Sequence, residues 1–213
     1  MADRPVFVPG KRTNVTDVYM TAFDWNGGMA VSQKRKNIDA LHNAFRARFP
    51  ESRVLEISSK STNPLGVALS AFNLELYVPS LDRKVNLECV FQGSKVFAAG
   101  GPFTDLYEAS SRDAKKDPRL KNSGMLRCFR YEGEQFPLNP RTAFYNWLYI
   151  NALLENPQLG QQLLDYDAFT DIEFNPGKSI NCQADAAALY VSLARKGLLE
   201  QCRDFSAFLK LIR

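Results

Sequence analysis

Asn86–Phe97 reads Asn-Leu-Glu-Cys-Val-Phe-Gln-Gly-Ser-Lys-Val-Phe. Wound as a helix at about 100° per residue, it gathers Glu88, Gln92 and Lys95 within roughly 60° of one another. Leu87, Val90, Phe91, Phe97 and Ala98 fall on the opposite side. The stretch is expected to be one amphipathic helix carrying an acid, an amide and a primary amine in a row. A solvated helix face with a Glu–Lys stripe has the same pattern. The surrounding chain has to decide between surface and site.

Upstream, Leu74–Val78 alternates like a half-buried strand, and Arg53–Ile57 is a second strand candidate. The polar loop between them, Ser58–Gly66, carries Asn63-Pro64 as a turn signal. Downstream, Gly100-Gly101-Pro102 stops the helix, and residues 104–121 are polar and partly helical, with cations and acids interleaved. Asn139-Pro140 and Asn156-Pro157 each read as an N-cap followed by proline at the first helical position. They open helices from about residue 140 to 155 and from 157 onward. A further helix, about 182–196, ends at Gly197, and a last amphipathic one spans about 204–211.

At the N-terminal end, residues 1–14 look extended and Val15–Ala22 reads as a strand. Asp24–Gly28 is a turn, and Met29–Ser32 returns as a second strand. Lys34, Arg35 and Lys36 then stand just before a helix capped by Asn37, with Ile38, Leu41, Phe45 and Phe49 on one stripe. A solvated loop and a phosphate-binding lip beside a helix N-terminus are both consistent with that run. The expected fold is mainly α, with a small antiparallel β-sheet chiefly in the N-terminal third, or α+β if the sheet is counted. One domain is expected, with an N-terminal extension at 1–54, a core at 55–197 and a C-terminal helix at 198–213.

Composition narrows the chemistry. The chain has 213 residues, 45% of them hydrophobic, and a net charge of +4, enough for a real core and mildly basic. Cys89, Cys128, Cys182 and Cys202 form no Cys-x-x-Cys pair and read as free thiols in a reducing compartment. The sequence shows no apolar signal core and no 18-residue apolar run, so a soluble cytoplasmic protein with no membrane partner is expected. The single histidine, His42, lies in an apolar helical stripe and reads as a packed side chain. It leaves a Ser-His-Asp triad one candidate base and a zinc site only scattered cysteines and carboxylates, so no metal is expected. Gly177-Lys178-Ser179 fails as a P-loop, because Ile172 stands where that motif needs glycine. What remains is an anion cradle of backbone N–H groups and Lys178, or a plain turn. No Gly-x-Gly-x-x-Gly follows a strand, and no cofactor is expected.

Glu88, Gln92 and Lys95, with Ser70 and Asn73 nearby in sequence, are thus the chemical constellation. An acid beside a lysine suits N-glycosidic cleavage, in which the leaving nitrogen takes a proton and positive charge builds at the anomeric carbon. A glycosylamine ring can open to an imine, whose carbon a neutral lysine captures as a Schiff base.

Leu69-Ser70-Ala71-Phe72, followed after a strand and turn by Leu87–Phe97, resembles the NADAR/YbiA-like family, in which a Ser-Asn-Phe element precedes Val-Glu-His-x-Phe-Gln-Ala-x-Lys-Phe. Asp171-Ile172-Glu173 and Gly177–Asn181 resemble the family's closing Gly-x-Asn element. Met29–Ile38 resembles the subgroup found beside DarT-type toxins. The resemblance spans about 55–197. It departs at Cys89, where the family has His, at Ala71, where it has Asn, and at Glu173–Asn175, where the YbiA branch has Trp-Gly-Asp.

The resemblance implies a helical YbiA-like fold and an antitoxin hydrolase that removes ADP-ribose from guanine in DNA, with ADP-ribosylated DNA as substrate and ADP-ribose as product. A cognate ADP-ribosyltransferase toxin is a further implied partner. Glu88 maps onto the family's acid and Lys95 onto its lysine, as catalytic residues. Ser70, Asn73 and Gln92 would orient the ribose, Lys178, Ser179 and Asn181 would hold the pyrophosphate, and Lys34, Arg35 and Lys36 would face DNA phosphates. Two alternatives stay open: an N-glycosidase acting on a small phosphoribosyl-amine, as in the riboflavin branch, and a non-catalytic immunity protein that binds the toxin or ADP-ribose.

Overall fold

The computed structural model describes residues 1–10 and 15–212; the part of the expected extended stretch at 11–14 lies outside them. The chain begins as an antiparallel hairpin of β1, Ala2–Pro9, and β2, Thr16–Phe23. α1, Val31–Arg48, follows at once. The expected return strand at Met29–Ser32 is absent, and Lys34, Arg35 and Lys36 sit in the first turns of this helix rather than in a loop before it. Straight-chain Gln, Lys and Arg are good helix formers, which carries the helix start upstream of Asn37. Asn37 is therefore not a cap. It is buried in the helix, where its Oδ1 accepts from the Asn26 backbone N–H (2.6 Å) and its Nδ2 donates to the Asn26 carbonyl (3.0 Å). That pair pins the 24–28 turn against α1.

β3, Val54–Glu56, leads to α2, Pro64–Ala68, whose Asn63 cap accepts from Leu65 N–H (2.9 Å). β4, Glu75–Val78, pairs with β5, Arg83–Asn86, and α3, Leu87–Gly93, follows directly. Next come β6, Lys95–Phe97, α4, Ser111–Lys116, α5, Arg119–Asn122, and the hairpin of β7, Leu126–Tyr131, with β8, Glu134–Phe136. α6, Ala143–Leu154, starts three residues later than expected, and Asn139-Pro140 precedes it as a cis pair rather than a cap. α7, Pro157–Leu163, does open on Asn156-Pro157. β9, Ala168–Thr170, precedes α8, Gln183–Arg195, which stops at Gly197 with φ +69° as anticipated. α9, Phe205–Leu211, is capped by Asp204 accepting from Ala207 N–H.

The protein is α+β, the reading expected once the strands are counted, and among the described residues the strands form three small sheets rather than one chiefly in the N-terminal third. The first sheet runs β2-β1-β9-β3, with β3 and β9 parallel and the other pairs antiparallel. Strand periodicity divides its side chains between two cores. Val6, Val54 and Ala168 join Ile38, Leu41 and Phe45 under α1, whereas Phe7, Leu55 and Phe169 join the larger cluster with α3, α6 and α8. The third sheet, β6-β7-β8, turns at Glu132 (φ +48°) and Gly133 (φ +80°). This is a two-residue turn with both φ values positive, and Glu in its first position hides it from sequence inspection. Phe129 of β7 stacks on Phe144 of α6 at 4.5 Å, fixing that sheet onto the helix behind the site.

Candidate active site

α3 is buried along its whole length, Glu88 and Gln92 included, so the surface-stripe reading fails. The helix also stops earlier than expected. The carbonyl of Gly93 accepts from Phe103 N–H (2.7 Å) and that of Ser94 from Arg130 N–H (2.7 Å), so neither is left for the amides four residues on. Those amides turn elsewhere, Phe97 N–H to Gly100 and Ala98 N–H to Met125. Lys95 consequently begins a strand, paired with Phe129. The acid–amide–amine row survives the change of backbone. Gln92 Nε2 donates to Glu88 Oε1 at 2.8 Å, and Lys95 Nζ donates to Gln92 Oε1 at 2.6 Å. An amide oriented N to the acid and O to the amine is the one arrangement that satisfies both neighbours.

This row opens on a cleft of about 940 Å³ that Ser70, Lys178, Ser179 and Asn181 also line. Burial pushes the Lys95 ammonium down to a pKa of about 8; Glu88 opposes that shift and Lys115 adds to it. Its Nζ lies 4.7 Å from the centre of the Phe91 ring. Lys115 reaches Glu88 Oε1 at 3.6 Å and lies over the Phe72 ring. Tyr145, also in the cleft wall, has its phenol pushed well above the usual range by burial and by Glu88, so it is a neutral hydroxyl at any ordinary pH.

Two expectations change. Asn73 is exposed, its amide donates to the Val67 carbonyl (2.8 Å), and it does not line the cleft. The 175–181 loop spends its amides internally: Lys178 and Ser179 N–H both bond to the Asn175 carbonyl (2.9 Å each), and Gly177 N–H bonds to Asn175 Oδ1 (3.0 Å). What it presents to the cleft is side chains, including Asn181, whose Oδ1 is buried without a partner. Lys34, Arg35 and Lys36 lie outside the cleft, although Lys34 pairs with the cleft residue Glu173 at 3.2 Å.

Sequence reading also missed cleft groups. Asp171 follows β9 and accepts from Glu173 N–H (3.0 Å). Burial, reinforced by the charge of Glu56, pushes its carboxyl up to about 8. Gln183, at the start of α8, accepts from Ala71 N–H (2.8 Å) and donates to the Ile57 carbonyl (2.7 Å), tying three walls of the cleft together. Lys60 and Arg141 add cations to the lining. The available signal was an acid inside an apolar run, Ala-Phe-Thr-Asp-Ile, a pattern that marks a buried carboxyl rather than a solvated one. Among the described residues no cluster of His, Cys, Asp and Glu could hold a metal ion, and no helix is long and apolar enough to cross a membrane.

Comparison with curated proteins returns no match. The family model of the DarT1-associated NADAR antitoxins matches residues 2–213, and the chain belongs to that family.

Proposed function

We propose that this DarT1-associated NADAR antitoxin is a hydrolase that removes ADP-ribose from guanine bases of DNA by cleaving the N-glycosidic bond. The observation that carries the reading is the hydrogen-bonded row Glu88–Gln92–Lys95, its acid and amide buried and its lysine half-buried, opening on a cleft that Lys60, Lys115, Arg141 and Lys178 also line. At a pKa of about 8, Lys95 holds a usable fraction of free amine near neutrality. In this mechanism the ribosyl ring opens to an imine on the guanine nitrogen. Lys95 Nζ adds to that carbon, the bond to guanine breaks with its electron pair going to nitrogen, and Glu88 supplies the proton. Water then adds to the lysine Schiff base, Glu88 takes a proton back, and ADP-ribose leaves with Lys95 restored. The sum is one water consumed per bond cleaved.

Asp171 keeps its proton to about pH 8 and gives the cleft a second donor. Both ends of the Gln92 amide are committed to its neighbours, so its part is to fix Lys95 against Glu88 rather than to hold ribose. Ser70 stays on the ribose side, with Lys178, Ser179 and Asn181 for the pyrophosphate. Lys60, Lys115 and Arg141 would meet backbone phosphates, a sequence-blind and salt-sensitive contact.

The test is ADP-ribose release from a guanine-ADP-ribosylated oligonucleotide, with borohydride added to trap a lysine adduct. The expected result is release by the native protein, a trapped adduct mapping to Lys95, and loss of both in Lys95→Ala. Release at the native rate by Glu88→Gln and Lys95→Ala overturns the assignment. Protection from the toxin that survives loss of both residues would favour an immunity protein acting by binding.

A further inference from the structure

Tyr107, Tyr145 and Tyr149 are all buried, but only two of them have committed their hydroxyls to the fold. Tyr149 of α6 donates to the Leu69 carbonyl (2.8 Å), which holds the helix against the Ser70 wall of the cleft. Tyr107 bonds the Ser94 hydroxyl (3.1 Å). Tyr145, one turn before Tyr149 on α6, is 6% exposed and lines the cleft. No group among the described residues bonds its hydroxyl, and the oxygen is not sealed from solvent. A nearly buried hydroxyl without a bond is a net cost to the fold. At a cleft wall, a ligand that completes it accounts for that cost.

The Tyr145 ring stands edge-on to Phe91, with centroids 5.0 Å apart and planes at 82°. Lys95 Nζ lies over the same Phe91 ring, so phenol and amine flank one aromatic side chain. The hydroxyl therefore stands in the part of the cleft where the carbon attacked by Lys95 has to sit. A neutral phenol can donate and accept at once, which suits an alcohol as its partner. The alcohol nearest to C1′ of a ribose is the 2′-hydroxyl, on the neighbouring carbon. We propose that Tyr145 is a specificity-determining residue whose hydroxyl binds the 2′-hydroxyl of the ribose attached to guanine. This rests on the reaction proposed above.

The substrate supplies a reason for such a contact. Every nucleotide of DNA carries an N-glycosidic bond of its own, from its base to a 2′-deoxyribose. The ADP-ribosyl bond joins guanine to a sugar that has the 2′-hydroxyl. A ribose at Lys95 pairs the Tyr145 hydroxyl, whereas a deoxyribose in the same place leaves it unpaired. Sites built to bond a substrate hydroxyl reject the analogue that lacks it for this reason. Tyr145 thus directs Lys95 to the ribosyl carbon and away from the deoxyribosyl carbons of the same strand.

The experiment is a cycle of two proteins and two substrates. Native protein and Tyr145→Phe are each given an oligonucleotide with ADP-ribose on guanine, and its analogue with 2′-deoxyribose in place of the ribose bonded to guanine. Tyr145→Phe is expected to lower kcat/KM about 10- to 100-fold on the ribosyl substrate and no more than about threefold on the deoxy analogue. Where the analogue is too slow to follow, its Kd replaces the rate in the same cycle. Equal losses on both substrates, or no loss on the ribosyl one, overturn the proposal. The variant deletes a hydroxyl that no protein group bonds, so its urea midpoint is expected at or above the native value. A variant that fails to fold shows the hydroxyl to be structural and overturns the proposal too. Tyr149→Phe is the control, expected to lower the midpoint and to treat both substrates alike; if it discriminates as Tyr145→Phe does, the assignment to Tyr145 falls. A native protein that releases sugar from neither oligonucleotide sinks the reaction and this contact together, whereas equal losses in Tyr145→Phe sink the contact alone.

Discussion

The two polar clusters on either side of β9 are built from similar parts and end in opposite states. Behind the strand, His42, Thr170, Glu56 and Ser58 form a continuous chain of short hydrogen bonds, and Ile172 N–H takes a further lone pair of Glu56. In front, Glu88, Gln92 and Lys95 form an open row, in which the lysine has one fixed acceptor and then the cleft. A chain whose members all find partners offsets the cost of burying polar groups and holds elements together. An open row leaves an amine that burial has brought to a pKa of about 8, where it is poised for chemistry rather than for structure.

The sharpest way to break this contrast is Lys95→Arg, which keeps the charge and removes the nucleophile. Turnover is expected to fall about 10³-fold or more in single-turnover assays, with the folded state retained by circular dichroism. A variant within tenfold of native would mean that the front row works by charge alone.

The rear cluster is probed through stability against pH. His42 titrates at about 4 when folded, against 6.5 when free. The unfolded chain therefore binds a proton that the fold refuses, and this contribution is lost as pH falls from about 6.5 to 4. It amounts to at most about 3 kcal/mol. In urea denaturation across that range, the stability gap between native and His42→Gln should narrow as pH drops. A gap independent of pH would mean that His42 is not held neutral.

Thr170→Val removes the hydroxyl that serves both His42 and Glu56 and is expected to cost about 2 kcal/mol in denaturant midpoint experiments. Smallest of all, Asn73→Ala should leave turnover within about twofold, because its side chain is committed to Val67 outside the cleft. A large loss there would return Asn73 to the ribose.

Local signals identified much of this molecule. The proline of Asn156-Pro157 and the Gly197 stop mark helix ends within a few residues of chain, although the Asn156 side chain makes no cap bond and reaches the Glu75 carbonyl instead. The packed His42 was legible because it shares a stripe with Ile38 and Phe45. Errors fell where distant groups compete for the backbone. Asn37 had the chemistry of a cap but spends its amide on Asn26, and Asn139 ends in the cleft wall. Glu56 and Asp171 went unassigned because an acid in an apolar run states burial without naming its partner.

The sequence by itself determined which groups stand in the front row, since Glu88, Gln92 and Lys95 recur at intervals that put them on one side of a turn. Tertiary structure alone decided what they are. Phe103 and Arg130 take the carbonyls that would have continued α3, which places Lys95 on a strand beside Phe129. Packing on β7 and α6 then buries Glu88 and Gln92 and half-buries Lys95, a row that isolated helical geometry would have left in water. Hydrogen-bond spacing along a helix is local, but desolvation is a property of everything packed around it.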